Sequence, residues 1–357
     1  MMALHIQENV PLAPLTTFKT GGPARFFCTA KSEGELRQAI EFARSRRIPF
    51  FVLGGGSNVL IPDRGFFGLA IKNEIKVTQF IERREEVSLV AGAGENWDAL
   101  VAMTVQKNLY GLENLSGIPG TVGAAPIQNI GAYGVEVADV LSHVDVFDAE
   151  EMKEKRFDVQ ECMFSYRNSL FKSAHGKRFI ITAVGFVLKK EGQCRIHYKD
   201  LALAFNDTRE NITPQKIRSA VLEIRKQKFP DLTECGTAGS FFKNPIIDEA
   251  EYLNLVSRYR ELPGYPEKNG KIKIPLAWIL DKVCLLKGYR KGNVGLFSNQ
   301  PLVVVNYGNA TTEEIINFTR EVSQKVFEAA GLTIESEVRI LGEIDLQFAT
   351  QVIHSSS

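Results

Sequence analysis

Three polar residues have the chemical types needed to move a proton next to a developing negative charge. Ser240 follows Gly239 in a turn-rich segment, Arg167 lies among few other charges, and Glu337 lies two residues before Arg339. A hydroxyl or carboxyl can deliver a proton, and a guanidinium can hold a carboxylate. Taken singly, each has a structural alternative: a turn serine, a surface ion pair and a solvated strand edge. Ser240 lacks the GxSxG pattern and has no nearby histidine, so a hydrolase triad is poorly supported.

Two glycine-rich segments could present backbone N–H groups to a ligand. Gly54-Gly55-Gly56 follows the apolar run at 50–53, and residues 111–136 hold six glycines together with Pro119 and Pro126. Backbone amides in such loops suit phosphate oxygens, although a series of tight turns is the structural alternative. Pro62 and Asp63 prevent a helix soon after the triple glycine, which disfavours a Rossmann dinucleotide fold.

The composition narrows the class of protein. The 357 residues include 43 basic and 42 acidic side chains, so no charge excess favours nucleic acid as a partner. No apolar run is long enough to span a membrane, and the N-terminus does not resemble a signal peptide. The five cysteines are widely spaced without CxxC and the five histidines are scattered, so we expect neither disulfides nor a metal site. We therefore expect a cytoplasmic protein, in reducing surroundings.

Hydrophobic periodicity predicts short strands alternating with helices. Ser32 and the Thr213-Pro214 pair have the types that begin helices. The charged segment 148–156 is predicted as a hairpin loop, and Glu337 and Arg339 are predicted to share one face of the last strand. The predicted strands are 25–30, 50–53, 69–71, 75–80, 87–91, 140–147, 179–188, 302–306 and 334–341, and the predicted helices are 32–46, 97–107, 213–228, 249–259, 276–283 and 312–330.

Six longer motifs together resemble one enzyme family. They are LGGGSNVL at 53–60, GAGENW at 92–97, GLENLSGIPGTVGAAPIQNIGAYGVE at 111–136, YRNSLFK at 166–172, AGSFFKNP at 238–245 and ESEVR at 335–339. Their order over roughly residues 15–342 resembles the UDP-N-acetylenolpyruvoylglucosamine reductases (MurB), flavoenzymes of peptidoglycan precursor synthesis. The Tyr198-Lys199-Asp200-Leu201 segment resembles the tyrosine-bearing loop of the type I subgroup, which closes on the substrate.

This resemblance implies an α+β fold. A two-lobed FAD-binding domain of the vanillyl-alcohol-oxidase (PCMH) type would occupy residues 15–205, with lobes at about 15–80 and 81–205. A C-terminal α/β substrate domain would follow at 206–345, and residues 346–357 would be a tail. These limits are soft, because the final strand can return to another lobe.

The resemblance also implies a two-step reduction with FAD held noncovalently and NADPH as the hydride-donating co-substrate. NADP leaves, UDP-N-acetylglucosamine enolpyruvate takes its place, and its enolpyruvyl ether is reduced to give UDP-N-acetylmuramate. Ser240 would be the proton donor, and Arg167 and Glu337 would hold the carboxylate and the charge that develops on it. Burial would favour the neutral form of Glu337.

Further positions follow from the same comparison. The implied substrate contacts are Tyr198, Lys228 and Asn244, and further along the chain Tyr265, Lys287 and Gln300. The implied flavin contacts are Gly54, Gly55, Gly56, Ser57, Asn58, Ser116, Gly117, Ile118, Pro119, Gly120, Gly123, Ile127 and Ile130. No histidine or cysteine lies in these loops, so we expect no covalent flavin link.

Two rival functions remain at this stage. A different flavoenzyme on the same fold, an alcohol oxidase or dehydrogenase, would share the glycine loops but not AGSFFKNP together with ESEVR. A non-catalytic nucleotide-binding protein would not need the serine, arginine and glutamate together. For the favoured function we expect a monomer without nucleic-acid or membrane partners.

Overall fold

The computed structural model describes residues 4–205 and 211–342. The tail predicted at 346–357 lies outside the described residues, as do the last residues of the predicted substrate domain. The fold is α+β, as predicted, with two sheet-based lobes followed by a mixed C-terminal region. None of the described helices is long and apolar enough to cross a membrane.

The first lobe is a four-stranded sheet covered by one helix. Its elements are β1 (Gln7–Pro11), β2 (Pro23–Ala30), α1 (Glu33–Ser45), β3 (Phe50–Leu53), β4 (Val59–Leu60) and β5 (Phe66–Asn73). The strand order is β1-β2-β5-β3, with β1 antiparallel to β2 and the other pairs parallel. Ser32 caps α1 by accepting the Glu35 N–H, and the helix buries Leu36 and Ile40 against the sheet. The triple-glycine turn leaves this sheet at the carboxyl end of β3.

The second lobe is a five-stranded antiparallel sheet packed against one helix. Its elements are β6 (Thr78–Glu82), β7 (Glu86–Gly92), α2 (Trp97–Gln106), β8 (Gly131–Ala132), β9 (Val135–Glu136), β10 (Leu141–Asp148), β11 (Lys153–Asp158) and β12 (Phe179–Lys189). The main sheet has the order β11-β10-β12-β7-β6. Trp97 is buried at the start of α2 and donates its indole N–H to the Leu115 carbonyl at 3.0 Å. The lobe core therefore anchors the start of the long glycine-rich loop.

The C-terminal region holds two small sheets and the longest helix. Its elements are α3 (Lys199–Ala204), α4 (Pro214–Lys228), β13 (Ile246–Asp248), α5 (Glu249–Arg258), β14 (Tyr265–Pro266), β15 (Lys271–Lys273), α6 (Leu276–Trp278) continuing as a π-helical turn (Ile279–Val283), β16 (Arg290–Lys291), β17 (Val294–Leu296), β18 (Val304–Asn306), α7 (Thr312–Ala330) and β19 (Arg339–Ile340). Thr311 and Glu314 form a capping box at the start of α7, which buries Ile315, Phe318 and Val322 in the core.

The chain finally returns to the first lobe. β19 pairs in parallel with β4, with Arg339 opposite Val59, and the Leu341 N–H donates to the Leu60 carbonyl at 2.9 Å. Residues directly before β19 are thereby brought beside the triple-glycine turn.

Three sequence predictions need correction, and one helix was missed. The strand predicted at 75–80 is displaced to Thr78–Glu82, and the loop predicted at 148–156 contains most of β11, which pairs with β10 over six residue pairs. Five of the six residues of β11 are charged, and the strand lies at a sheet edge, where charge is common. The last strand is only Arg339–Ile340, so Glu337 and Arg339 do not share a strand face. The helix α3 was not predicted, because six residues are too few for a clear period.

Candidate active site

The two glycine-rich segments, predicted separately, pack against each other. A Cβ on Gly55 would lie 2.6 Å from Gly120 Cα, and one on Gly54 would lie 2.6 Å from Thr121 Oγ1. Ser57 Oγ donates to the Pro119 carbonyl at 3.0 Å. Only glycine allows this approach, because any side chain here would separate the two loops. The result is one continuous backbone surface between the two lobes.

This surface leaves backbone donors without protein acceptors. In the described chain, the N–H groups of Gly55, Gly56, Ser57 and Asn58 donate to no carbonyl or side chain. Gly56 is buried and has φ +64°, which L side chains rarely adopt. Gly55, Ser57 and Asn58 are half-buried, and four adjacent backbone donors without a protein acceptor fit the phosphate oxygens of a dinucleotide cofactor such as FAD.

Other predicted flavin residues have structural partners of their own. The Ser116 hydroxyl donates to the Glu113 carbonyl at 2.6 Å, and the Gly117 N–H donates to Asp98 at 2.6 Å. The Gly123 N–H donates to the Ala93 carbonyl, and a Cβ at Gly123 would lie 2.5 Å from Ala93 Cβ. These groups shape the loop. The remaining predicted flavin residues in it are Ile118, Pro119, Ile127 and Ile130, of which Ile130 is buried, Ile118 and Ile127 are half-buried and Pro119 is exposed.

Lys72 is a cation at this turn that the sequence analysis missed. Its Nζ donates to the Gly54 carbonyl at 2.5 Å, and burial lowers the pKa of Lys72 below its usual value despite the charge of Glu74. No motif marks it, because it belongs to β5 and reaches the turn across the sheet.

Arg167 and Glu337 meet between the second lobe and the C-terminal region. Arg167 Nε lies 2.9 Å from Glu337 Oε1, and the side chains are only 18% and 11% exposed. The Nε–H does not point along this line, so the contact is an ion pair rather than an aligned hydrogen bond. Arg167 Nη2 donates to the Gly131 carbonyl at 2.8 Å. A tight turn with φ +52° at Arg167 directs the side chain into the interface.

Ser240 and Glu337 lie on adjacent extended segments. The Glu337 N–H donates to the Phe241 carbonyl at 2.7 Å, and on the other side the Phe241 N–H donates to the Leu302 carbonyl at 2.7 Å. Gly239, directly before Ser240, has φ +76° and open space where a Cβ would lie. Ser240 is half-buried at this opening. The structure therefore brings the three predicted catalytic residues to one region.

Gln128 is a further polar residue of this region, to which the sequence analysis gave no role. Its Nε2 lies 3.3 Å from Glu337 Oε1, and its Oε1 accepts a hydrogen bond from Asn58 Nδ2 at 2.8 Å. Asn58 Nδ2 also lies 3.2 Å from the Glu337 carbonyl. The only sequence signal was its place between Ile127 and Ile130 in the glycine-rich loop.

Two predicted substrate residues lie on neighbouring helical segments. Lys228, at the end of α4, pairs with Asp200 of α3, with Nζ 2.6 Å from Oδ2. Tyr198 precedes α3 and packs edge-on against Tyr133 at 5.5 Å between ring centroids. Burial raises the pKa of Tyr198, and the charges of Asp200, Tyr265 and Tyr166 add to the rise. Tyr265 lies on β14 and is exposed.

Asn244 reaches the segment that carries Arg167. Its Nδ2 donates to the Tyr166 hydroxyl at 3.3 Å, and its Oδ1 accepts the Leu276 N–H at 2.9 Å. Lys273 Nζ lies 4.9 Å from the centroid of the Tyr166 ring. Asn244 therefore contacts Tyr166, the residue that directly precedes Arg167 in the sequence.

Gln300 and Lys287 lie further out. The Gln300 side chain contacts its own loop, where Oε1 accepts the Leu302 N–H at 3.4 Å. The neighbouring Asn299 donates to the carbonyl of Gln227, which directly precedes Lys228. Lys287 is exposed, and its ion pair with Asp281 at 3.9 Å connects it to none of the three predicted catalytic residues. In the described ranges no cluster of three or more His, Cys, Asp or Glu could hold a metal.

The fold and the donor-lined loops define a flavin-dependent class of protein. The model of the FAD-binding domain family matches residues 24–152, which include most of the first sheet, strands β6, β7 and β10 of the second sheet, and the glycine-rich loops. The C-terminal domain model of UDP-N-acetylenolpyruvoylglucosamine reductase matches residues 230–341, which include Ser240 and Glu337.

Whole-chain comparisons identify the particular family. The UDP-N-acetylenolpyruvoylglucosamine reductase of Polynucleobacter asymbioticus is 40% identical over 339 residues, covering 94% of this chain and 96% of that protein. The enzyme of Escherichia coli K12 is 40% identical over 334 residues, with the same coverage. The crystal structure of the Thermus caldophilus enzyme superposes with a TM-score of 0.66 at 25% identity, covering 94% of this chain and 99% of that one. The chain belongs to the UDP-N-acetylenolpyruvoylglucosamine reductase (MurB) family.

Proposed function

We propose that the protein reduces UDP-N-acetylglucosamine enolpyruvate to UDP-N-acetylmuramate with NADPH as the reductant. The observation that carries this proposal is the pairing of Arg167 with Glu337 at 2.9 Å, next to the Ser240 segment and the glycine loops. FAD, when bound, would supply the hydride chemistry that connects NADPH to the methylene carbon of the enolpyruvyl group. The unpartnered amides of Gly55, Gly56, Ser57 and Asn58 hold its phosphates.

Arg167 and Glu337 stabilise the charge that appears beside the substrate carboxylate. Once hydride reaches the methylene carbon, the carbon next to the carboxylate carries negative charge, so the group approaches a dianion. The planar guanidinium of Arg167 is held at two points, by Glu337 and the Gly131 carbonyl, before the substrate arrives. Donors fixed in advance stabilise such charge without reorganising during the reaction.

Ser240 delivers the proton that completes the reduction. Ser240 is half-buried, and its segment is hydrogen-bonded to the Glu337 segment through the Phe241 carbonyl. Serine is a weak acid, but a carbanion is a strong base, so transfer is feasible when the hydroxyl is within hydrogen-bond reach.

Lys228, Tyr198 and Asn244 hold the UDP-sugar, with Lys228 meeting the diphosphate as a point charge. Tyr265, Lys287 and Gln300 extend this surface outward. Residues 15–205 form the FAD-binding domain and 206–345 the substrate domain in this proposal, with the pairing of β19 and β4 joining them. The setting is the cytoplasm, with the protein acting as a monomer in cell-wall precursor synthesis, on which cell shape and division depend.

A coupled assay tests the function. Purified protein is mixed with NADPH and the enolpyruvyl substrate without oxygen, and NADPH absorbance and product mass are followed. We expect NADPH consumption only when the sugar nucleotide is present, and a product heavier than the substrate by two hydrogens. NADPH consumption that ignores the sugar nucleotide, or oxidation of simple alcohols with oxygen, would support an oxidase instead.

A further inference from the structure

The side chain of Gln128 joins the glycine loops to the proposed catalytic carboxylate. Its Nε2 lies 3.3 Å from Glu337 Oε1, while its Oε1 accepts from Asn58 Nδ2 at 2.8 Å. We propose that Gln128 is a positioning residue that fixes the rotamer of Glu337 so that Oε2 faces the substrate. This inference rests on the proposed function and deepens it.

The amide of Gln128 has one favourable orientation. Asn58 donates to it, so the oxygen must face Asn58 and the NH₂ group must face Glu337. A flipped amide would place its oxygen against a carboxylate oxygen and its NH₂ against another NH₂. Asn58 Nδ2 also approaches the Glu337 carbonyl at 3.2 Å, so the same pair holds the main chain at this position.

The direction of this contact matters because of Arg167. Both Gln128 Nε2 and Arg167 Nε approach Oε1 of Glu337, while Oε2 has no hydrogen-bond partner in the part of the chain that the structure describes. A carboxylate next to a guanidinium tends to rotate into a two-oxygen, two-nitrogen pairing. That pairing would occupy the fork of Arg167 that the substrate carboxylate needs. By holding Oε1, Gln128 opposes this rotation and keeps part of the guanidinium available.

The three partners come from separate parts of the fold. Asn58 follows the triple-glycine turn of the first lobe, Gln128 lies in the loop of the second lobe, and Glu337 precedes β19. Gln128 and Glu337 are 209 residues apart in sequence. The contact therefore makes the position of a substrate-side carboxylate depend on the two loops assigned to the flavin.

Substitution of Gln128 tests the proposal through the two half-reactions. Gln128→Met keeps the length of the side chain but removes its donor and acceptor. We expect flavin reduction by NADPH within about twofold of wild type, and flavin reoxidation by the enolpyruvyl substrate slowed on the order of 10–100-fold. The loss should appear in kcat rather than in KM for the sugar nucleotide.

Gln215→Met is the matched control. Gln215 Nε2 donates to the Val105 carbonyl and to Asn108 Oδ1, and neither contact involves Glu337. The control removes a hydrogen-bonded amide of the same type, and we expect both half-reactions to keep their wild-type rates.

Gln128→Glu supplies a pH signature that a packing role would not produce. The new side chain can still accept from Asn58, but it can donate toward Glu337 only when protonated. Glu337 contacts this position directly, Arg167 pairs with Glu337, and Lys172 Nζ donates to the Arg167 carbonyl at 3.2 Å. We expect its reoxidation rate, relative to wild type, to recover as pH falls.

The outcomes separate the two claims. A wild-type protein that fails to turn over the enolpyruvyl substrate overturns the proposed function and this inference with it. An active wild type with an equally active Gln128→Met variant overturns the inference alone. So does a variant whose half-reactions fall together with its melting temperature, because that pattern shows lost packing.

Discussion

Lys228 and Asp200 form an ion pair in which Nζ lies 2.6 Å from Oδ2, joining the end of α4 to the segment that follows Tyr198. The lysine assigned to the substrate diphosphate is therefore engaged by a carboxylate of the chain itself. Both side chains are partly exposed, at 31% and 25%. A diphosphate that binds Lys228 must either share its Nζ group with the Asp200 carboxylate or displace that carboxylate. Substrate binding is therefore coupled to the position of the segment that carries Tyr198 and Asp200.

Substitutions of Asp200 and of Lys228 should change KM for the sugar nucleotide in opposite directions. Asp200→Asn removes a competitor at a partly exposed site, so we expect KM for the sugar nucleotide to fall by the equivalent of about 0.5–1 kcal/mol. Lys228→Ala should raise it by the equivalent of about 1.5–3 kcal/mol. Lys226→Ala, an exposed lysine on the same helix, is the control. Equal changes in KM for NADPH would contradict a role specific to the UDP-sugar.

A second prediction concerns how the flavin is attached. The loops at 54–58 and 116–130 contain no histidine or cysteine, so no side chain there can form the usual covalent links. Acid precipitation of the yellow protein should release all colour into the supernatant, as FAD by chromatography. Colour that stays in the pellet after washing would refute noncovalent binding.

Arg167→Lys tests whether the guanidinium itself is needed. One ammonium cannot reproduce the geometry of Nε against Glu337 and Nη2 against the Gly131 carbonyl. Loss of preorganised charge stabilisation should slow flavin reoxidation by substrate about 10²–10³-fold, while NADPH still reduces the flavin. Arg156→Lys, at an exposed pair with Asp145, is the control. Near-normal reoxidation in Arg167→Lys would show that a simple positive charge suffices.

Stability should depend on the buried carboxylate of Asp148. Its side chain is fully buried and accepts from Arg178 and Lys155, and from the backbone N–H groups of Glu150 and Glu151. Burial alone would raise the pKa of Asp148, but these hydrogen bonds outweigh it and hold the pKa well below its usual range. The folded protein therefore favours the ionised form. The resulting stabilisation is complete above the unfolded-state pKa of about 3.9 and is lost as pH falls below it.

Denaturant unfolding of Asp148→Asn measures this contribution. We expect the free energy of unfolding to fall by about 1.5–3 kcal/mol at pH 7, because the charge-assisted hydrogen bonds to the buried carboxylate are lost while Arg178 and Lys155 keep Glu150 and Glu151 as partners. The difference from wild type should shrink below about pH 4. Glu150→Gln, an exposed partner of the same arginine, should change stability by less than about 0.5 kcal/mol. A difference that does not change with pH would contradict this explanation.

Local signals predicted much of the fold. Ser32, Thr213 with Pro214, and the acidic first turn after Thr311 marked helix starts that the structure confirms within one or two residues. Apolar runs located β2, β3, β7, β10 and β12. Besides the displaced β6 and the missed α3, the exceptions were β11, whose charged residues lie at a sheet edge, and the segment before β19, which pairs through one isolated bridge rather than as a strand.

Local sequence patterns predicted less of the candidate site than of the fold. The glycine loops were visible in the sequence, but their mutual packing through Gly55 and Gly120 was not. Ser240, Arg167 and Glu337 became a set only through the family resemblance, since nothing in their spacing places them together. Gln128 and Asp200 went unassigned because their contacts depend on how distant segments meet in three dimensions. The neutral form expected for Glu337 stays a prediction, and the role proposed for Gln128 applies to the ionised form that pairs with Arg167.

The most direct test of the whole account is stopped-flow absorbance of the flavin in Ser240→Ala, recorded separately for reduction by NADPH and reoxidation by UDP-N-acetylglucosamine enolpyruvate. Reduction needs no proton from a serine, so its rate should match wild type. Reoxidation needs one, and should slow by about 10²–10⁴-fold, with partial recovery in Ser240→Cys. A Ser240→Ala protein that reoxidises at the wild-type rate, or one whose two half-reactions slow equally, would contradict the assignment of Ser240 as the proton donor.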